Sequence, residues 1–294
     1  MVIIGVVTRN PHGWATKELR KAIEKLGHVP FIFRFRDIIA EVGFPARVFV
    51  KGCDVSSLSA IIVRPIGRCS LEQAIFRMDV LHWIEDRGVY VVNSPSAIEI
   101  AVDKYRTLYL LERAGIPVPK TVVGECCEEV LKYINDLGKP IVVKPLFGSR
   151  GLGSFRVRSK DYAWRVLSDL AFLKHVLYVQ EYIRHRGRDI RVFVIGDRAV
   201  AAMYRVARSW KTNVYLGAKP IRLYPIPQEV EELAIKSCRV VGCEIAGVDI
   251  VEDRERGYLV LEVNSQPGWR GLQSVTPFSI AEEIVKYVVS RVRR

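Results

Sequence analysis

The first third of the chain alternates short apolar segments with amphipathic ones, and this alternation limits the possible folds more than any other feature. Strands are predicted in the apolar runs at residues 2–8, 29–33, 48–50, 60–63 and 89–93. Helices are predicted at residues 14–26 and 71–87, each of which is followed by a glycine. A regular succession of strand and helix predicts an α/β unit with an open, mostly parallel sheet and helices on both faces.

The rest of the chain has longer strands and fewer interruptions. We expect the cluster Ser94-Pro95-Ser96 to end the first unit and a domain boundary to fall at about residues 94–102. Residues 191–195, 198–206, 246–252 and 258–264 read as strands, with helices at residues 228–241 and 280–292.

Bulk composition narrows the class of protein but does not choose a function. The chain is 49% hydrophobic and 26% charged, as in ordinary globular proteins. No apolar run approaches the ~20 residues that span a bilayer. The first residues also lack the basic leader of a signal peptide, so we expect a cytoplasmic protein with no membrane partner. The six cysteines have no metal-ligand spacing, and whether Cys238 and Cys243 pair is left open.

The formal net charge of +13 is the unusual bulk property. It fits a nucleic acid, an acidic protein partner or an anionic small substrate. The basic residues are spread along the whole chain, and no basic stretch is interleaved with aromatic residues as in an RNA-binding strand. Charge alone therefore does not decide between these partners.

A glycine-rich loop follows the apolar strand that ends at Lys144. The loop contains Gly148, Ser149, Arg150, Gly151 and Gly153. Glycines let backbone N–H groups turn toward an anion, and the lysine adds a positive charge for a phosphate. The loop is neither a Walker A motif nor a Rossmann fingerprint, because no helix follows it. It indicates nucleotide binding of another kind, with a hairpin that binds nothing as the alternative.

Two apolar segments near the C-terminus carry polar residues that suit a metal ion. Asp249 lies in AGVDIVE, and Glu262 and Asn264 lie in YLVLEVN. A reversal centred between Glu255 and Arg256 would set Asp249 opposite Glu262, about 5 Å away, on a sheet face that Asn264 shares. Carboxylates inside apolar strands are costly unless they are paired or bound to metal. Three hard oxygen ligands favour Mg²⁺ over the alternative of a solvated sheet face.

The segment Gln180, Glu181, Tyr182 and Ile183 ends another apolar strand. Backbone groups in a linker of this kind can form hydrogen bonds with an adenine edge. Asp189 follows closely and can accept hydrogen bonds from ribose hydroxyls. The alternative for a glutamate at a strand end is simple solvation.

Basic residues also interrupt the long strands. Arg191 and Arg205 lie at positions suited to binding a carboxylate or a phosphorylated intermediate. A surface ion pair is the alternative for each. Asn213, in the loop that follows, offers an amide donor nearby.

These motifs occur in a recognisable order. The chain resembles the RimK-like branch of the ATP-grasp superfamily over roughly residues 94–294, through DKYRTLYLLERAGIPVP, VVKPLFGSRGLGS, QEYI, RDIRVFVIGDRAVAAMYR, TN, AGVDIVE and LEVNSQPGW. The resemblance implies an α/β (α+β) ATP-grasp fold with an N-terminal Rossmann-like pre-ATP-grasp domain. The implied domains are residues 1–98, which bind substrate, and residues 99–294, with a lid subdomain at about 120–182.

The resemblance also implies a role for each motif. Nucleotide-binding residues would be Lys104 and Lys144 on the phosphates, residues 148–153 as a lid, Gln180 to Ile183 at the adenine and Asp189 at the ribose. Two Mg²⁺ ions, with Mn²⁺ as a substitute, would be held by Asp249, Glu262 and Asn264. An acyl-phosphate and the incoming substrate would be stabilised by Arg191, Arg205 and Asn213. In such ligases an acceptor carboxylate attacks the γ-phosphoryl group of ATP, and an amine then displaces phosphate to give an amide and ADP.

Within this branch the chain looks most similar to archaeal ligases that add L-glutamate to a coenzyme tail, with tetrahydromethanopterin or a deazaflavin coenzyme as acceptor. LysX-type ligases, which act on an acidic carrier protein, are a second alternative that the net charge of +13 favours. A ligase for a ribosomal protein is the third. The non-enzyme alternative is a basic nucleic-acid-binding module, which gives no reason for three aligned metal ligands. The family also implies a homo-oligomer.

Overall fold

The computed structural model describes residues 1–43, 46–148 and 151–292. Its strands are β1 (Ile3–Val7), β2 (Val29–Phe33), β3 (Ile38–Glu41), β4 (Arg47–Val50), β5 (Cys53–Asp54), β6 (Ala60–Val63), β7 (Tyr90–Val92), β8 (Thr121–Gly124), β9 (Ile141–Lys144), β10 (Phe155–Val157), β11 (Leu177–Glu181), β12 (Arg188–Ile195), β13 (Arg198–Val206), β14 (Lys219–Arg222), β15 (Ile245–Asp253) and β16 (Gly257–Asn264). Its α-helices are α1 (Trp14–Lys25), α2 (Leu71–Asp86), α3 (Pro95–Val102), α4 (Lys104–Arg113), α5 (Cys127–Lys132), α6 (Lys160–Phe172), α7 (Gln228–Val241), α8 (Arg270–Gln273) and α9 (Ile280–Val292).

The N-terminal part is built around a parallel sheet with the strand order β2-β1-β6-β7. Successive residues of its strands point to opposite faces, and both faces are apolar. Ile4 and Val6 pack in one core with α1 and α9, whereas Val7 and Val63 pack in another with α2. The predicted parallel sheet with helices on both faces is confirmed.

Ser94-Pro95-Ser96 follows β7, the last strand of this sheet in chain order, and begins helix α3, which the sequence analysis did not predict. The Ser94 hydroxyl accepts a hydrogen bond from the backbone N–H of Ala97 at 3.2 Å, and Pro95 occupies the first helical position, where its missing N–H costs nothing. Helix α3 runs through the predicted boundary between residues 98 and 99. The division into two domains at that point stays a prediction.

A second, antiparallel sheet has the strand order β10-β9-β11-β8. It packs against helices α5 and α6 through a separate small core that includes Val130, Val143 and Leu167. We call it the lid sheet, because it covers one side of the cavity described below.

The third sheet is antiparallel, with the strand order β14-β13-β12-β15-β16. Asp253 pairs with Gly257, so the turn between β15 and β16 lies slightly nearer the N-terminus than predicted. Leu261 is an extra residue on β16 with no partner opposite, and this bulge restores the predicted pairing of Asp249 with Glu262. The predicted pair is therefore confirmed, although the predicted centre of the turn is wrong.

Two further expectations concern the whole chain. Among the described residues, no helix combines the length and apolar character that crossing a bilayer requires. Cys238 and Cys243 are both buried and both free thiols. Burial raises the pKa of each thiol, so both stay protonated at neutral pH.

Candidate active site

A cavity of about 150 Å³ lies between the lid sheet and the five-stranded sheet. Most of the residues predicted from the sequence line it: Lys104, Lys144, Gly148, Gly151, Gln180, Glu181, Tyr182, Ile183, Asp189, Arg205, Asn213, Asp249 and Glu262. Gly153, Arg191 and Asn264 are not part of its lining. Ser149 and Arg150 lie outside the described residues.

Two lysines bring positive charge into the cavity. Lys104, at the start of α4, donates to the backbone carbonyls of Leu146 and Gly148 at 2.9 and 3.2 Å, and so contacts the glycine-rich loop. Burial lowers its pKa, against the opposing effect of Glu262. Lys144, at the end of β9, donates to the Gln180 side chain at 2.6 Å. Burial lowers the pKa of Lys144 to about 8. The protein therefore neutralises the positive charge of this lysine only in part, and an anion in the cavity would interact with that charge.

The Gln180–Ile183 segment joins the lid sheet to the third sheet along one wall of the cavity. The Glu181 carboxylate accepts from the backbone N–H of Lys120 at 2.7 Å and from the Arg256 guanidinium at 2.8 Å. These bonds fix the segment to the residue before β8 and to the turn between β15 and β16. The Glu181 side chain is thus held by protein donors, which leaves backbone groups of the segment as the candidates for contact with a base.

A buried network of two carboxylates and two guanidinium groups lies at the floor of the cavity, with one guanidinium, that of Arg191, behind the residues that line it. Arg205 makes a bidentate pair with Asp189 at 2.7 and 2.6 Å, and its Nη2 also lies 3.1 Å from Asp249. Arg191 makes a second bidentate pair with Asp249. The hydroxyl of Thr212 donates to Asp189 at 2.6 Å. Both oxygens of Asp189 are therefore occupied by protein donors, and its predicted contact with a ribose stays a prediction.

The charges in this network stabilise one another. Burial raises the pKa of Asp249, but Arg191 and Arg205 outweigh it and hold the pKa below its ordinary value. Burial likewise lowers the pKa of Arg205, but Asp249 and Asp189 outweigh it and raise the pKa. Asp249 and Arg205 are consequently charged at neutral pH. Buried ion pairs of this kind lose several kcal/mol when one partner is removed.

Glu262 differs from Asp249 because no arginine among the described residues binds its carboxylate, and its charge partly offsets the effect of burial on the pKa of Lys104 and Lys144. Its side chain is half-buried, lines the cavity opposite Asp249, and forms no hydrogen bond or ion pair with the described residues. Asn264 donates from its side-chain amide to the carbonyl of Gly247 at 3.1 Å, which leaves its amide oxygen as a free acceptor. A carboxylate and an amide oxygen without protein donors fit a hard cation such as Mg²⁺.

Asp249 fits the same cation less simply, because Arg191 and Arg205 occupy its oxygens. Within residues 1–43, 46–148 and 151–292, no group of three or more His, Cys, Asp or Glu side chains is arranged to hold a metal. The predicted set contains only two carboxylates together with an amide, so it depends on Asn264 and on ligands from phosphates.

The sequence analysis missed an aromatic wall of the cavity. His185, Trp210 and Lys211 line it beside Tyr182. The rings of His185 and Trp210 pack edge-on against Tyr182, with centroids 5.8 and 6.4 Å away, and Arg156 lies over Tyr182 at 5.2 Å. Such a wall suits a flat heterocycle. The letters RSWK directly before the TN motif were the available signal.

The sequence analysis also missed Asn93, which links the N-terminal sheet to the strands that carry the carboxylates. Its side-chain amide donates to the carbonyls of Ile245 and Ser265, and its oxygen accepts from the backbone N–H groups of Glu244 and Ile245, at 2.5 to 2.8 Å. Asn93 therefore fixes the start of β15 and the segment after β16 together.

Comparison with known proteins agrees with this geometry. Residues 101–288 match the model of the RimK-like ATP-grasp domain family. The tetrahydromethanopterin:alpha-L-glutamate ligase of Methanosarcina acetivorans is 35% identical, over 97% of this chain and 98% of that protein. A probable alpha-L-glutamate ligase of Legionella pneumophila is 31% identical, over 99% of this chain and 96% of its own length.

Solved structures share the fold at lower sequence identity. The ATP-grasp ligase PsnB, solved with a minimal precursor, Mg and ADP, superposes with a TM-score of 0.77 at 23% identity, covering 99% of this chain and 98% of its own. An ATP-grasp RimK domain protein from Sphaerobacter thermophilus superposes with a TM-score of 0.77 at 21% identity, covering 97% of this chain and 99% of its own.

The fold is that of the ATP-grasp ligases. The chain belongs to the RimK-like ATP-grasp family. Its class, an ATP-dependent ligase that forms an amide between a carboxylate and an amine, is the one predicted from the sequence.

Proposed function

We propose that this ligase uses ATP and Mg²⁺ to join L-glutamate to a carboxylate on a coenzyme tail such as that of tetrahydromethanopterin. The observation that carries the proposal is Glu262, whose carboxylate forms no hydrogen bond or ion pair with the described residues and faces Asp249 in a cavity with two half-buried lysines. A carboxylate free of protein donors, close to two lysines, suits the binding of a phosphate together with its metal ion. The names of the archaeal relatives support the choice of L-glutamate and of the acceptor.

In this proposal the nucleotide lies along the cavity. Lys104 and Lys144 bind its phosphates under the glycine-rich loop, which both lysines adjoin in sequence or by contact. The Gln180–Ile183 segment holds the adenine through its backbone, and Asp189 contacts the ribose. The aromatic wall around Tyr182 excludes water from the base.

Two Mg²⁺ ions, for which Mn²⁺ can substitute, are held by Asp249, Glu262 and Asn264, and when bound they neutralise charge on the transferred phosphoryl group. Support comes from the register of β15 and β16, which puts Asp249 and Glu262 opposite each other, and from the free amide oxygen of Asn264. Arg191 and Arg205 keep Asp249 ionised, so the ligand is ready without a change of protonation.

The chain's own residues then act on the reacting groups by position and charge. The acceptor carboxylate attacks the γ-phosphoryl group to give an acyl-phosphate and ADP, and the amino group of the second substrate displaces phosphate. Arg205 and Asn213, which line the cavity, stabilise the acyl-phosphate, and Arg191 holds the network behind them. No protein nucleophile is required, because the intermediate is formed on the substrate.

The acceptor is proposed to be anionic, because the protein has a net charge of +13. A coenzyme tail is favoured over an acidic carrier protein by three relatives named as tetrahydromethanopterin:alpha-L-glutamate ligases, which are 32–37% identical over most of the chain. We also propose that residues 1–98 contribute the acceptor site, that the enzyme is cytoplasmic, and that it forms a homo-oligomer.

An acceptor screen tests the proposal. The protein is incubated with ATP, Mg²⁺, L-glutamate and one candidate acceptor at a time: tetrahydromethanopterin, the deazaflavin coenzyme, or an acidic carrier protein. ADP release and a product one glutamate residue heavier, seen by mass spectrometry only with the coenzyme acceptors, is the expected result. ADP release that is the same with every acceptor and without any would contradict it, and a product with the carrier protein alone would select the LysX-type alternative.

A further inference from the structure

Arg64 is a buried cation with no counter-charge. It directly follows β6, and only 6% of its surface is exposed. Its guanidinium donates from Nη2 to the carbonyl of Pro267 at 2.8 Å and stacks 4.6 Å over the ring of Trp269. No carboxylate of the described residues pairs with it, and burial lowers its pKa to about 10. Burying an isolated charge is costly, so Arg64 occupies this position despite the free energy lost when its guanidinium is desolvated.

A second donor without a partner lies against this cation. Trp269 is 1% exposed, and its indole Nε1–H has no acceptor in the described residues. Arg64 and Trp269 together line a small cavity of about 10 Å³ with Asn93, Ser265 and Pro267, which has room for about one water-sized group. The side chain of Asn93 is already saturated by its four hydrogen bonds. The cavity thus offers N–H donors and positive charge, which are complementary to an anion.

The cavity has the position at which open parallel sheets bind ligands. In the order β2-β1-β6-β7 the chain runs outward from β1 to β2 and then returns to β6 on the other side of β1. Ligands bind outside the carboxyl ends of the strands at such a switch point. Arg64 lies at that end, since its backbone N–H bonds to the carbonyl of Val7, the last residue of β1. Arg9, which follows β1, lies against Gly67 of the same loop and adds positive charge.

The same cavity also borders the charged floor of the active site. Pro267 and the Arg191 guanidinium flank Gly247, because a Cβ atom on that glycine would lie 3.0 Å from Pro267 Cβ and 2.8 Å from Arg191 Nη1. Arg191 in turn pairs with Asp249. A group bound by Arg64 would therefore lie next to the site of phosphoryl transfer.

We propose that Arg64 and Trp269 bind a carboxylate of a substrate that does not react, one oxygen of which occupies this cavity. The inference rests on the proposed function, because both partners of such a ligase carry more carboxylates than the reaction uses: the incoming amino acid has two, and a dicarboxylic acceptor tail has a second. Arg64 thereby fixes the orientation of the substrate and selects dicarboxylates.

Isothermal titration of the full chain with ADP and Mg²⁺ tests the inference without a known acceptor. The probes are L-glutamate for the amino-acid source of the carboxylate and glutarate for the acceptor source, with L-glutamine and L-isoglutamine as analogues that lack one carboxylate each.

Arg64→Gln is expected to weaken binding of one dicarboxylate about tenfold or more, as the loss of charge-assisted hydrogen bonds implies. Arg64→Lys should bind with intermediate affinity. Trp269→Phe, which keeps the ring and removes the N–H, should weaken binding a few-fold. Arg36→Gln, at an arginine that is 71% exposed, is the control and should bind as the wild type does.

The outcomes separate this inference from the proposed function. Weakened L-glutamate binding identifies the incoming amino acid as the source of the carboxylate, and weakened glutarate binding identifies the acceptor. If binding of a dicarboxylate depends on Arg64 but the protein converts none of the acceptors, the site is supported and the proposed function fails. If the wild type binds neither probe at millimolar concentration, or if Arg64→Lys and Trp269→Phe both bind as tightly as the wild type, Arg64 has only a structural role and the inference is overturned.

Discussion

Asp249 faces Glu262 across strands β15 and β16 only because Leu261 stands as an extra residue between the two halves of β16. Without that bulge, Glu262 would pair with Val248, and its side chain would point to the opposite face of the sheet. The bulge thus aligns two carboxylates whose environments differ. Asp249 is buried and bound by two arginines, whereas Glu262 has no partner in the described residues.

Glu262→Gln is expected to remove activity without loss of stability. The side chain has no protein partner to lose, so the melting temperature should stay within about 2 °C of the wild type or rise. Since the glutamine has no charge for a cation, ADP formation should fall at least about 100-fold. The matched control is Glu252→Gln on the same hairpin, whose side chain is 53% exposed and pairs with Arg188. Equal rates in the two variants would show that Glu262 binds no essential metal.

Arg205→Met is expected to destabilise the fold. It leaves Asp189 and Asp249 buried with fewer partners, and breaking a buried pair in this way costs about 3–5 kcal/mol. Urea unfolding gives the free energy directly. Arg198→Met serves as the control, since that side chain is 73% exposed and lies 3.7 Å from Glu283. Its unfolding free energy should fall by less than about 1 kcal/mol. A similar small loss in both variants would mean that the buried network contributes little.

Nucleotide affinity should fall as the pH rises through about 8. Burial lowers the pKa of Lys144 to about 8, so the free protein loses this charge above that pH, whereas bound phosphates favour the charged form. The dissociation constant for ATP should therefore rise by up to about tenfold per pH unit above 8. Lys144→Arg, whose guanidinium stays charged, should bind with little pH dependence over pH 7–9.5. The prediction is wrong if the dissociation constants of the two proteins, measured by fluorescence titration, change with pH to the same extent.

The same pKa acts on stability in the opposite direction. Without nucleotide, Lys144 has a lower pKa in the folded protein than its ordinary value of 10.5. Between about pH 8 and 10.5 the unfolded chain therefore binds the additional proton, and the contribution of this lysine to stability increases with pH across that window. The unfolding free energy of the wild type minus that of Lys144→Met, which cannot titrate, should increase over this range as measured by urea denaturation. A constant difference would show that the lysine titrates normally.

Asn93→Ala is expected to loosen the metal-binding strands as well as the fold. The variant loses four hydrogen bonds to backbone groups at Glu244, Ile245 and Ser265. Unfolding free energy should fall by about 3 kcal/mol or more, because buried groups are left without partners. Among molecules that remain folded, the Mg²⁺ concentration for half-maximal ADP formation should rise several-fold, while the KM for ATP changes less. Asn135→Ala, at an exposed asparagine, is the control. A lower stability with an unchanged Mg²⁺ requirement would limit Asn93 to a structural role.

Local sequence patterns were sufficient to predict most helices and strands and part of the candidate site. The apolar runs located strands such as Val29–Phe33 and Ala60–Val63 to the residue. The hairpin pairing predicted from the sequence put Asp249 and Glu262 on one face, although the structure reaches that pairing through the bulge at Leu261. The helix that begins at Pro95 was missed because a Ser-Pro-Ser cluster can either end a unit or cap a helix, and only the packing of α3 distinguishes the two.

The sequence by itself determined the periodic elements, the glycine-rich loop beside Lys144 and the polar residues that interrupt apolar strands, because each of these depends on neighbours a few residues away. Only the tertiary structure decided which partners those polar groups meet. Asp249 is paired with Arg191 because β12 lies beside β15. Arg64 has no carboxylate partner in the part of the chain that the structure describes, because Pro267 and Trp269, from the far end of the chain, cover it. The charge state and exposure of a buried group depend on contacts between distant segments, and the order of strands in a sheet sets those contacts.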